Sequence, residues 1–178
     1  MTIPKQWDVM SSSTMLDVYK NPGEELKRNL SPKYLKTIKM GLENGMELIF
    51  CDADENFGDN ITVSPQTKPF ANLADAPLDG VQLMIRGFFL QNGLEIKIHK
   101  LQRTTILGAP AILIDATNYV TPKMPEGCRA NIYMIMRTPE TMIDITLTTK
   151  HETFEKRKEQ FEAVLKTLKF QPPYSGKK

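Results

Sequence analysis

The chain is poor in the residues that make chemistry easy to read. Of its 178 residues only two are cysteine, two histidine and one tryptophan. Cys51 and Cys128 lie far apart and in no C-x-x-C pattern, which excludes a disulfide-dense scaffold and leaves two separate thiols or one long-range disulfide. These two cysteines with His99 and His151, none closely spaced, make a poor zinc set, since zinc takes about four grouped ligands. No apolar run approaches the ~18 residues that a membrane-spanning helix needs. Neither sign of charge dominates: 23 basic against 21 acidic residues give a net +2, too little to argue for nucleic acid or an anionic membrane as partner. The sequence has no G-x-G-x-x-G or Walker loop and no nucleophile elbow. The opening MTIPKQWDVM lacks a charged stretch followed by an apolar core, so it is not a signal peptide. Two localisations fit that opening: the cytoplasm, with Met1 native, or export, with a leader that was removed ahead of it.

What is present is ordinary globular material, 40% hydrophobic and 25% charged. A chain of this length suits one domain and buries roughly 70% of its unfolded surface, enough for a core without staples. The periodicity organises it into a segment 1–45 with a helix, a main domain 46–170 and a flexible tail 171–178. In the first segment Trp7 and Val9 fit a short strand, and Ser13 or Thr14 can cap a short helical turn. Ser31 and Pro32 then read as N-cap and first helical residue. Tyr34, Leu35, Ile38 and Leu42 follow on one helical face, closed by Gly41, Asn44 and Gly45.

Residues 46–51 (MELIFC) and 60–64 (NITVS) read as a hairpin around an acidic tip, and 65–77 as a loop. Asp75 or Asp79 can cap a helix that carries Val81, Leu83, Met84, Ile85, Phe88, Phe89 and Leu90. This helix is apolar on more than one side, which predicts deep burial, and Asn92-Gly93 stops it. Strands follow at 94–103, continued or turned at 104–107, and at 111–120, with the turn placed at 108–110. A hairpin, 131–137 and 142–149, turns at Thr138, Pro139 and Glu140. The chain ends in a helix over 152–168 whose Phe154, Phe161, Val164, Leu165 and Leu168 form one stripe opposite an ion-pair-laced face. Hairpin connections dominate, so the fold class is α+β: a mainly antiparallel sheet of about six strands flanked by helices, closing with a β-hairpin and a C-terminal amphipathic helix.

The order of these elements resembles the PsbP-like superfamily, which includes the PsbP subunit of photosystem II, a Ran-binding nuclear import factor, bacterial DcrB-like proteins and some type VI secretion effector chaperones. The resemblance rests on Asp59 to Ser64, on residues 105–116 (TILGAPAILIDA) as strand, glycine turn and strand, and on the closing ββα from Ile132 to Phe170. It spans about residues 46–170 and carries over no binding residue. It implies a fold used for binding and assembly rather than catalysis.

Few constellations carry chemistry. Asp52, Asp54, Glu55 and Asp59 invite a calcium reading, but Gly58 is one place late for an EF-hand and Val63 stands where the bidentate acid belongs. A solvated hairpin tip explains them better. His99 lies beside Lys97 and Lys100, and His151 at a helix start, with no Ser, Cys or carboxylate at motif spacing; both read as surface histidines. Asp115 and Asp144, with Thr117, Thr146 and Thr148, are expected to share one hydrophilic sheet face. The feature left over is apolar surplus: in the strand Ile132 to Met136 both faces are apolar. Either the strand is central and covered on both sides, or one face is an adaptable methionine-rich surface for a partner.

The expected function is therefore a non-enzymatic binding or accessory protein, bacterial, exported or chaperone-like. It would bind another protein through a sheet face, with Tyr133, Met134, Met136, Phe88 and Phe89 as candidate contacts. No catalytic residue, metal or cofactor is assigned. The alternative is a ligand-binding domain or enzyme with a pocket between the middle helix and the sheet.

Overall fold

The computed structural model describes residues 1–10, 12–24, 32–52, 59–67, 75–119, 126–136 and 141–169. Among these residues, four helices pack on a seven-stranded sheet. In chain order the elements are β1 (Asp8–Met10), α1 (Ser12–Lys20), α2 (Pro32–Glu43), β2 (Glu47–Asp52), β3 (Asp59–Thr67), α3 (Leu78–Gln91), β4 (Glu95–Ile106), β5 (Ala109–Tyr119), β6 (Cys128–Met136), β7 (Thr141–Thr149) and α4 (Phe154–Leu165). The strand order is β1-β2-β3-β7-β6-β5-β4, and every pair is antiparallel. The α+β class and the closing hairpin and helix are as the periodicity indicates. A seventh strand arises because β1 pairs with β2 at the sheet edge.

Several boundaries move for local reasons. Strand β3 runs through Pro65 to Thr67. Its last residue to pair with β2 is Val63, opposite Glu47, while Pro65 still pairs with Ile143 of β7. Beyond Val63 the strand is an edge on one side, where a missing N–H leaves no partner unsatisfied. Pro110 is likewise a strand residue, opposite Thr105, one place before β6 begins to pair at Ala111. The β4–β5 turn therefore consists of Leu107 and Gly108, both at positive φ (50° and 80°), the signature of a tight type I′ connection. A bulge between Ile98 and Lys100 shifts the β4 register by one residue. Asp79 is not the cap of α3. Pro77 holds the N-cap position without a side-chain bond, and Asp79 sits in the first turn.

Helices α2 and α3 end alike. At α3 the Gly93 N–H reaches Leu90 O and the Leu94 N–H reaches Phe89 O at 2.9 Å; at α2 Gly45 bonds Leu42 and Met46 bonds Gly41. Gly93 (φ 70°) and Gly45 (φ 86°) supply the left-handed residue that this Schellman arrangement requires.

The sheet is covered on both faces. On one, α4 and the N-terminal residues bury Trp7, Ile49, Ile61, Tyr133, Ile135, Ile145 and Leu147 with Phe161, Val164 and Leu165. On the other, α3 lays Val81 and Ile85 over Ile112, Ile114, Met134 and Met136. Helices α1 and α2 form a separate pack on this second face, where Met15, Leu42 and Met46 meet Leu48 and Phe50 of β2. Strands β5 and β6, in the middle of the core, are thus buried on both sides, which accounts for their near-continuous apolar runs.

Candidate functional site

The five candidate contacts are divided by this arrangement. Tyr133 faces α4, its ring edge-on to Phe161 at 5.7 Å between centroids. Met134 and Met136 face the other way, under α3. All three are buried. Phe89 is half-buried against the α3 pack, and Phe88, stacked edge-on with it at 5.8 Å, is 48% exposed. The second face of strand 132–136 is covered by α3.

The deep burial expected for α3 holds only for its inner side. Leu83 is 71% and Leu90 76% exposed. They stand seven residues apart, two turns along the same side. Between them lies Gly87, where an added Cβ would meet nothing within 4 Å. The helix thus turns two leucines outward, one on either side of an open glycine, while the half-exposed Phe88 lies at the flank toward the core side.

Under the helices, the described residues of the second sheet face include a polar stretch between the two apolar packs. Strands β3 and β7 place Asn60, Thr62 and Ser64 opposite Thr148, Thr146 and Asp144. All six are half-buried, and none belongs to either apolar pack. Asp144 is the sharpest member. Its Oδ1 is buried and lacks a hydrogen-bond partner, and burial raises its pKa from 3.8 to about 7. The expectation that Asp115 and Thr117 share this face fails. In the β5–β6–β7 register Asp115 lies across from Asn131 and then Leu147, on the α4 side, because side chains on one strand alternate and the two sets have opposite parity.

The α4 face carries its own ionic groups. Arg129 places Nη2 2.6 Å from Asp115 Oδ1 and its guanidinium 4.0 Å over the Phe154 ring. Asp59, expected in a solvated tip, is buried: its Oδ2 accepts from Arg157 Nε at 2.9 Å and its Oδ1 from the Lys150 N–H at 3.1 Å. Arg157 also donates to Gln160 Oε1 at 2.9 Å. Removing one partner of such a buried pair costs ~3–5 kcal/mol, because the other charge is left stranded. The remaining acidic tip, 53–58, lies outside the described residues. Nothing in the sequence marks Arg157 as inward-facing except its spacing, one turn after Phe154 and one before Phe161.

The titratable candidates are placed in bland settings. The exposed His99 ring Nε2 lies 2.8 Å from Thr117 Oγ1, and His151 Nε2 3.1 Å from Glu126 O. Cys51 and Cys128 are buried thiols. Burial, with Glu126 and Asp59 adding to it, pushes the Cys128 thiol up to about 12, which makes it a poor nucleophile at neutral pH. Among the described residues no three His, Cys, Asp or Glu side chains group to hold a metal. Among them, too, no helix is long and apolar enough to cross a membrane.

No protein-family model and no curated protein matches the chain. Solved structures do. The cyanobacterial PsbP, CyanoP, of Synechocystis is similar over 91% of this chain and 80% of its own, with a TM-score of 0.56 and 11% identity. A protein of unknown function from Pseudomonas aeruginosa is similar over 70% of this chain and 82% of its own, with a TM-score of 0.49 and 19% identity. The likeness to CyanoP shows a PsbP-like fold.

Proposed function

We propose that the protein is a non-enzymatic accessory protein that binds another protein, and that it does so through the outer side of α3. The carrying observation is the pair of exposed leucines, Leu83 and Leu90, on the outer side of a helix whose inner side is anchored in the core. A helix presenting two leucines around an open glycine suits close approach by an apolar partner surface. The PsbP-like fold supports an accessory role by analogy. The binding surface is thereby moved from the sheet, where Met134 and Met136 are covered, to the helix that covers them.

The test is a pair of lysine substitutions, Leu83→Lys with Leu90→Lys. The wild-type protein is expected to enhance the fluorescence of a hydrophobic dye and to yield one discrete adduct when a photo-cross-linking residue replaces Phe88 in cells of the source organism. The double variant is expected to lose both while its melting temperature stays within about 2 °C, since surface changes on a helix move stability little. Retention of dye binding and of the adduct by the variant refutes the assignment.

A further inference from the structure

The polar seam between β3 and β7 is not explained by packing. On the α4 face the same two strands are apolar, with Ile61, Val63, Ile145 and Leu147 in or against the core. On the opposite face they switch to Asn60, Thr62, Ser64, Asp144, Thr146 and Thr148, three cross-strand polar pairs in consecutive same-face positions. The apolar packs stop on either side of them: Leu48 and Phe50 of β2 belong to the α1–α2 pack, Ile132 and Met134 of β6 to the α3 pack. Counting strand spacings of ~4.8 Å, these packs stand roughly 14 Å apart across the seam. The two helix groups are tied where α3 runs into β4, where the Thr37 hydroxyl donates to Asn92 Oδ1. Among the described residues the seam is a polar strip of sheet flanked by two apolar packs.

Within it, Asp144 is out of place as a structural residue. The Ser64 hydroxyl opposite it accepts from Gln66 Nε2 at 3.1 Å, and Asp144 Oδ1 is enclosed without any partner. An orphaned buried oxygen costs ~1–3 kcal/mol, and more when charged, and it calls for an explanation such as a bound ion, a water or a functional role.

We propose that the polar strip along the β3–β7 seam binds a small ligand carrying one protonated amine or guanidinium on an apolar stem, with Asp144 as its counter-anion. The cation satisfies the orphaned oxygen, the hydroxyls of Thr146 and Ser64 flank it, and the stem lies against Phe50 and Leu48 on one side or Ile132 and Met134 on the other. A neutral polar ligand would leave the carboxylate uncompensated, and an anion would be repelled. The site is separate from the outer side of α3 and does not depend on it.

Isotope-labelled full-length protein titrated with n-butylammonium, n-butylguanidinium and neutral n-butanol tests this by NMR. The expected result is saturable amide shifts at Ser64, Asp144 and Thr146 with the two cations at millimolar concentration and none with butanol. The titration midpoint of the Asp144 carboxyl carbon should fall by at least one pH unit when the cation is bound, because an adjacent positive charge favours the ionised form. The near-isosteric Asp144→Asn should weaken binding tenfold or more. Absence of saturable shifts with both cations, equal response to butanol, an unmoved carboxyl midpoint, or undiminished binding by the variant overturns the proposal.

Discussion

Asp144 is a carboxylic acid whose surroundings favour its neutral form, and the consequence for stability has a definite sign. Its folded-state pKa of about 7 lies above the ordinary 3.8. Between those values the native protein holds a proton that the unfolded chain has released. Stability from this group is therefore greatest below about pH 4 and falls as pH rises through about 7, by on the order of a few kcal/mol. Asp144→Asn, which cannot ionise, is expected to remove that slope and to exceed the wild type in stability at pH 8, as read from urea midpoints across pH. Identical slopes in the two proteins would show that the carboxyl is not desolvated. The Asp59–Arg157 pair is the opposite case: two buried charges that satisfy each other and tie the start of β3 to α4. Neither group is recognisable from its neighbours in sequence. An aspartate among threonines in a strand and an aspartate in an acidic loop both read as solvated, and only the pairing of distant strands and the docking of α4 enclose them.

At the scale of elements, local signals were good where backbone chemistry alone decides. Asn92-Gly93 ends α3 through the left-handed glycine that its spacing indicates, and the stripe of α4 faces the core as its periodicity requires. They were poor where a neighbour decides. Pro65 and Pro110 mark loops by composition, yet each occupies a stretch of strand unpaired on one side, where its missing donor costs nothing. The β4–β5 turn holds a misfit of its own, since Leu107 adopts φ 50° while 51% exposed. A side chain with a Cβ costs roughly 1–2 kcal/mol in that region. Leu107→Gly is therefore expected to stabilise the protein by about 1 kcal/mol, after the glycine's greater unfolded-state entropy is allowed for. A lower urea midpoint for that variant would mean that Leu107 contributes packing that its exposure conceals.

For the whole molecule, the pairing of β3 with β7 is the decisive contact, because it joins the N-terminal strands to the C-terminal ones. Residues from both groups share one core with α4: Trp7, Ile49 and Ile61 from the first, Tyr133, Ile135, Ile145 and Leu147 from the second. Unfolding is accordingly expected to be a single transition. Urea curves followed by Trp7 fluorescence, on the β1–β2 side, and by far-ultraviolet circular dichroism should coincide. Phe161→Ala, which empties a fully buried site between the two groups, should shift both curves together by ~3–5 kcal/mol. Two separated midpoints would show that the N-terminal strands melt on their own.

By itself the sequence determined the α+β class, the closing hairpin and helix, and the apolar character of strand 132–136, because alternation, helical spacing and glycine chemistry act between near neighbours. The tertiary structure alone decided what that strand's second face meets. Helix α3 covers Met134 and Met136, and in doing so turns Leu83 and Leu90 outward. The same docking leaves the β3–β7 seam between two helix groups with Asp144 within it. Such assignments depend on which of several apolar surfaces pair across the chain. That choice is made by the whole set of contacts at once, and no local pattern records it.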